Sequence, residues 1–215
     1  MRRLLYIEAS PRKSISESIA AGQVFFEELR LHCPNIAIDT LDLWAEMLPE
    51  FDGAAIGAKY ARLHGRDMNS SEARAWSQIT GMVNRLRDAD AVLIATPMWN
   101  FGIPYKLKHW IDLITQPGLT FSFDPETGYS PKLASRPTLV VLSSAGDYAT
   151  GTSRGRPDLA TPYLRAALGF IGLRDITFVP IGPTIGSDDL LKAARDRAHQ
   201  TLHLAARSLL REPTA

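Results

Sequence analysis

Wholly apolar runs and amphipathic runs alternate along this chain. "RLLYIEA" (3–9), "IAIDTLDL" (36–43), "DAVLIAT" (90–96), "PTLVVLSS" (137–144) and "RDITFVPIG" (174–182) have the length and composition of strands. The third and fourth are almost continuously apolar, as parallel strands are when both faces are covered. "IDTLDL" alternates instead, which predicts an edge position. Segments 16–32, 70–87, 105–115, 158–172 and 187–211 carry a helical period. In the first, Ile19, Val24, Phe25 and Leu29 fall near one face, and Ser16 stands where an N-cap belongs. In the second, Trp76, Ile79, Val83 and Leu86 do the same, and Ser70 and Ser71 ahead of Glu72 predict the cap.

Five strand–helix units in succession predict an α/β fold: a doubly wound, five-stranded parallel sheet with helices on both faces. A ligand loop directly after the first strand favours the flavodoxin-like strand order 2-1-3-4-5, as a single domain over 1–215. Residues 44–69 read as a partly helical insertion. Residues 118–132 read as a hairpin, because "LTFSF" alternates and "DPETG" carries turn chemistry.

Composition narrows the function classes. The chain has 215 residues, 45% hydrophobic and 22% charged, with a formal net charge of +1. A basic excess suited to nucleic acid is absent, and so is an apolar stretch of membrane-spanning length. The N-terminal apolar run is broken by Glu8 and does not resemble a signal peptide. A single cysteine, Cys33, excludes an internal disulfide framework and a cysteine zinc site. A reducing cytoplasm is the expected compartment, with neither nucleic acid nor membrane as partner.

In an open parallel sheet, ligands bind beyond the carboxyl ends of the strands, where the strand order reverses. Three loops therefore matter. "SPRKSISES" (10–18) holds four serines and runs into a helix, whose free N–H groups and dipole favour an anion. It is neither a Walker A loop nor a dinucleotide fingerprint, so a mononucleotide phosphate suits it. "TPMWNFGIPY" (96–105) sets large apolar side chains on a turn, which a planar ring would cover. "SSAGDYATGTSRGRP" (143–157) follows a buried strand with glycines and small residues, a loop able to wrap a flat ligand. A phosphate joined to a planar heteroaromatic describes FMN. No Ser/His/Asp set or metal cluster accompanies these loops, and Lys108 with Asp112 reads as an i,i+4 helix pair.

"PMWNFGIPYKLKHWIDLITQPGLTF" resembles the signature of the FMN-dependent NADH:quinone and azo-compound reductases. "EASPRKSISESIA" resembles their phosphate loop, and "DLATPYLRAALGFIGL" (158–173) a later stretch of the same family. The resemblance implies a flavodoxin-like homodimer with flavin at the subunit interface. It places FMN contacts on Ser10, Ser16, Glu17, Ser18, Met98, Trp99, Asn100, Phe101, Ser144, Ala145, Gly146 and Asp147. Phe121, Phe123 and Phe170 are expected to line the acceptor pocket, in part from the partner subunit. No side chain is assigned a catalytic role. The implied cycle is ping-pong: NADH or NADPH reduces bound FMN, and a quinone or azo compound then takes two electrons. Asp147 and the long 148–156 stretch depart from the family pattern, which often has a second glycine at the first of these places. Two other classes stay open at this point: a non-catalytic FMN electron carrier, and a phosphoester hydrolase of the acyl-carrier phosphodiesterase type.

Overall fold

In the computed structural model, which describes residues 2–209, the apolar runs become the centre of one sheet. β1 (Arg3–Glu8), β3 (Ala91–Pro97) and β6 (Thr138–Ser143) lie side by side, flanked by β2 (Ala37–Asp42) and β9 (Ile176–Ile181), all parallel. The order is β2-β1-β3-β6-β9, which is 2-1-3-4-5 when only the strands of this sheet are numbered. Every residue of β3 and β6 is buried. β2, with the alternating sequence, is an edge strand as its pattern requires.

Strand periodicity distributes the core between two faces. Leu5, Ile7, Val92, Ile94 and Val140 point to one side. There they meet α2 (Gly53–His64), α3 (Ser70–Arg87), α4 (Tyr105–Ile114) and α5 (Ala160–Ile171). Leu4, Tyr6, Leu93, Val141 and Val179 point to the other, against α1 (Glu17–His32) and α6 (Asp188–Ser208). Trp110 of α4 is among the largest fully buried side chains. The last helix was expected to reach 211; residues 210 and 211 lie outside the described part of the chain.

One local expectation changes. The cap of α3 is Asn69, not Ser70 or Ser71: its side chain accepts from the Ser71 and Glu72 N–H groups, and Glu72 accepts from the Asn69 N–H in return. Asn is as strong an N-cap as Ser, and the reciprocal Glu three residues on selects it. Residues 44–69 are partly helical, as expected, and their helix joins the core. α2 buries Ala55, Ala58 and Ala61, and Asp52 caps it. The 118–132 excursion is a hairpin as expected, β4 (Phe121–Asp124) and β5 (Gly128–Pro131), turned by Asp124 accepting from the Glu126 and Thr127 N–H groups. A second, short hairpin, β7 (Thr152–Ser153) and β8 (Arg156–Pro157), lies in the loop after β6. Lys108 and Asp112 form the expected pair at 2.6 Å.

Glu28 ties α1 to α6. Its carboxylate accepts from Arg207 Nε at 2.7 Å and meets His203 Nδ1 at 3.0 Å and His32 Nε2 at 3.3 Å. Arg207, acting against the penalty of burial and helped by the two histidines, holds its carboxyl down at about 2. A depressed carboxyl pKa contributes stability above the unfolded value, near 4.3, that is lost as pH falls toward 2. Glu28→Gln is therefore expected to be less stable than the parent at pH 7, with the gap closing progressively below about pH 4.5. Denaturant titrations at pH 7 and pH 3.5 check this; an equal gap at both would assign the cost to packing instead.

Candidate functional site

The first loop leaves β1 beside β3, where the Ala9 N–H donates to the Ala95 carbonyl at 2.9 Å. It runs through a single 3-10 turn, Lys13–Ile15, into α1. Lys13 sits at φ 51 and its ammonium pairs with Asp42 at the end of β2, which anchors the turn. Ser16 occupies the N-cap position of α1 in extended geometry, yet its side chain caps nothing. Its hydroxyl instead lies 3.2 Å from that of Ser18. The first-turn N–H groups of a helix have no acceptor within the helix. Here they open among three buried serines, Ser10, Ser16 and Ser18.

The second loop leaves β3 with the Met98 N–H donating to Ser143 O at 2.7 Å, which fixes it to β6. Trp99 and Gly102 exchange two backbone hydrogen bonds of 2.9 Å across Asn100 and Phe101. Both central residues have positive φ, 47° and 72°. That is the signature of a type I′ turn, easy for Asn and strained for Phe. Such strain persists where the surroundings enforce it and concentrates at ligand sites. The turn holds Trp99 and Phe101 partly exposed at 36% and 40%. The Phe101 carbonyl accepts from the Leu159 N–H at 2.9 Å, so the turn also orients the start of α5.

The third loop leaves β6 with the Ser144 N–H bound to Ile181 O at 2.9 Å. The Ser144 hydroxyl donates to the Gly146 carbonyl at 2.8 Å. A Cβ on Gly146 would come within 2.4 Å of Ser153 Oγ, so glycine lets the short β7–β8 hairpin pack on this loop. The Asp147 carboxylate accepts from the Ala149 N–H at 3.0 Å and is engaged by its own loop.

These three loops rise from the carboxyl ends of the three central, neighbouring strands, where the strand order reverses. Sequence reasoning missed Trp44. Placed in a presumed insertion, it stands beside the site: its indole N–H donates to Ala9 O at 3.0 Å. Its ring meets Trp99 edge-on at 6.1 Å and Tyr105 at 5.4 Å. The signal available was its place just past the second strand, at the same carboxyl end of the parallel strands.

Phe121, Phe123 and Phe170 are not brought to these loops within one protomer. α5 begins at the site and Phe170 lies ten residues further on, about 15 Å along the helix axis. There it meets Phe121 at 5.0 Å and Tyr129 at 5.5 Å, and Tyr129 packs on Phe123 at 4.9 Å. Phe121 is buried in this cluster, while Phe123 and Tyr129 are exposed at 56% and 63%. Cavities flank the loops. One of about 350 Å³ lies behind the first loop and is lined by Ser14, Ser16, Glu17, Arg195 and His199 among others. One of about 640 Å³ lies between the third loop and residues 183–190.

An uncapped helix start among buried serines stands next to a strained aromatic turn at the switch point of a 2-1-3-4-5 sheet, an arrangement of the flavodoxin-like class that suits a mononucleotide. The profile of the flavodoxin-like fold family matches residues 2–202, and the chain belongs to that family. It is 52% identical over 202 residues to FMN-dependent NADH:quinone oxidoreductase 1 of Bradyrhizobium diazoefficiens, covering 94% of this chain and 97% of that one. It is 44% identical over 212 residues to FMN-dependent NADH:quinone oxidoreductase of Desulfotalea psychrophila, covering 99% and 98%. Among solved structures, an FMN-dependent NADH-azoreductase from Bacillus anthracis in complex with FMN superposes with a TM-score of 0.84. It is 25% identical and covers 98% of this chain and 100% of that one.

Proposed function

We propose that this protein is an FMN-dependent NADH:quinone oxidoreductase with azoreductase activity. The observation that carries the reading is the start of α1, which Ser16 leaves uncapped among buried hydroxyls. The names of the relatives favour this enzyme over an electron carrier or a phosphoester hydrolase.

The residues present fit the cofactor. The N–H groups of the first turn of α1 and the hydroxyls of Ser10, Ser16 and Ser18 would hold the phosphate, aided by the helix dipole. Met98, Trp99, Asn100 and Phe101 supply a flat, largely apolar surface for the ring system. Among the described residues, the N–H groups of Ala145, Gly146 and Asp147 have no acceptor, and they serve as donors to its polar edge. Preorganised donors at that place would favour negative charge on the group they face. Asp147 withholds its carboxylate through the bond to Ala149. Bound FMN supplies two-electron transfer from the reduced nicotinamide to a quinone or azo acceptor.

We further propose a cytoplasmic homodimer, each chain acting as a single domain. The exposed ring of Phe170 lies too far along α5 to cover its own site, and Phe123 and Tyr129 of the β4–β5 hairpin cluster with it there. A second copy can bring them over it, closing an acceptor pocket with the buried Phe121 behind them. No helix among the described residues is long and apolar enough to cross a membrane.

The purified protein is expected to be yellow. Anaerobic NADH should bleach the flavin band, and a quinone should restore it. A colourless protein that takes up no added FMN would end the reading. Flavin that NADH does not bleach would leave only the carrier.

A further inference from the structure

Glu17 is an awkward residue at the start of α1. It contributes a carboxylate to the turn that, on the reading above, holds a phosphate dianion. Two anions sharing one site repel each other. The structure shows what offsets this. Arg195, from α6 at the other end of the chain, grips Glu17 with two bonds, Nε to Oε2 at 2.9 Å and Nη2 to Oε1 at 2.5 Å. This is the fork geometry that arginine forms and lysine does not.

The surroundings are asymmetric. Glu17 and Arg195 both line the cavity behind the first loop, with Ser14, Ser16 and His199. Arg195 hydrogen bonds, followed by the nearby charges of Arg195, Arg12 and His199, outweigh burial and keep the Glu17 carboxyl below its ordinary value. The carboxylate is thus ionised and needs compensation. Arg195 is half exposed and supports little packing, with a side-chain exposure of 46%. An exposed ion pair of that kind contributes little to folding. Its position suggests another use.

We propose that Arg195 is a positioning residue of the cofactor site: by occupying the Glu17 carboxylate it leaves the start of α1 open to a phosphomonoester dianion. Arg195 acts through Glu17 and need not touch the phosphate. The inference rests on the FMN reading given above. It extends the site to α6, an element to which the strand-end loops give no clue.

The test uses the full chain stripped of flavin and reads affinity by flavin fluorescence quenching. Arg195→Gln is expected to weaken FMN binding roughly tenfold or more, the scale of one uncompensated charge nearby. Riboflavin, which has the ring but no phosphate, should bind the variant and the parent equally. Arg195→Lys should fall between the two, keeping charge without the fork. Glu17→Gln combined with Arg195→Gln should recover most of the affinity lost in Arg195→Gln alone. Equal FMN affinity in Arg195→Gln and parent overturns the proposal and leaves the FMN reading intact. So does an equal loss for riboflavin, or a double variant as weak as Arg195→Gln. A parent that binds no FMN overturns both.

Discussion

Ser16→Asp is expected to give a protein that folds at least as well as its parent and no longer retains FMN. Ser16 already holds the backbone geometry of an N-cap, φ −89 and ψ 121, but makes no cap bond. An aspartate there reaches the free N–H groups of the first turn, an effect of about 1 kcal/mol when a cap is gained. Its charge also meets the positive end of the helix. For a chain of this size that raises the melting temperature of the flavin-free protein by roughly 2–4 °C. On the proposed reading, the same carboxylate then stands in the phosphate site. Two unit charges about 4 Å apart near a surface repel by about 4 kcal/mol, which is close to a thousandfold in affinity. Fluorescence titration with FMN and a thermal melt of the flavin-free variant read the two effects. A variant that binds FMN like the parent would place the phosphate elsewhere.

Gly172→Ala is expected to be the most destabilising small change. Gly172 ends α5 at φ 115, a conformation that residues with a side chain rarely adopt. A Cβ there would lie 2.2 Å from the backbone carbonyl oxygen of Leu133, with no flexible atom to yield. The contact is close because the chain leaving the β4–β5 hairpin docks here: the Leu133 N–H donates to Ile171 O at 3.2 Å. Backbone strain of about 1–2 kcal/mol adds to an overpacking cost of about 1–3 kcal/mol. Together these lower the melting temperature by roughly 4–20 °C. Displacing that hairpin also displaces the ring cluster around Phe170. The parent should elute in size exclusion at twice its 23.7 kDa chain mass, and Gly172→Ala should shift toward the monomer. An unchanged melting temperature would mean the hairpin yields freely. A parent that elutes as a monomer would end the dimer proposal.

Much of the fold was legible because burial leaves a mark on composition. β3 and β6 are covered on both faces, so they are continuously apolar; β2 is an edge, so it alternates. Two parallel runs of that kind, joined by amphipathic helices, leave few topologies. The candidate loops were legible for a related reason. Large rings on the turn at 98–101, and serines at the start of a helix, are poor choices for a solvated surface. What went astray was local competition and distance. Asn69 outcompeted Ser70 as a cap because the reciprocal bond from Glu72 fits only that spacing. Trp44 and Arg195 carry no local pattern. Trp44 is one aromatic in a segment that resembles an insertion, and Arg195 is one cation on a helix with many.

The chain's own order of apolar and polar residues therefore determined the layers, the strand order and the loops at the switch point, because each follows from periodicity and burial within a short segment. Only the folded molecule decided that Ser16 leaves its helix uncapped, that Asn100 and Phe101 share a left-handed turn, and that Arg195 reaches Glu17. These depend on backbone angles and on contacts between residues far apart in the chain. The ring cluster at Phe170 shows the same limit. Helix geometry, which sequence spacing implies but topology orients, carries it away from the site of its own protomer.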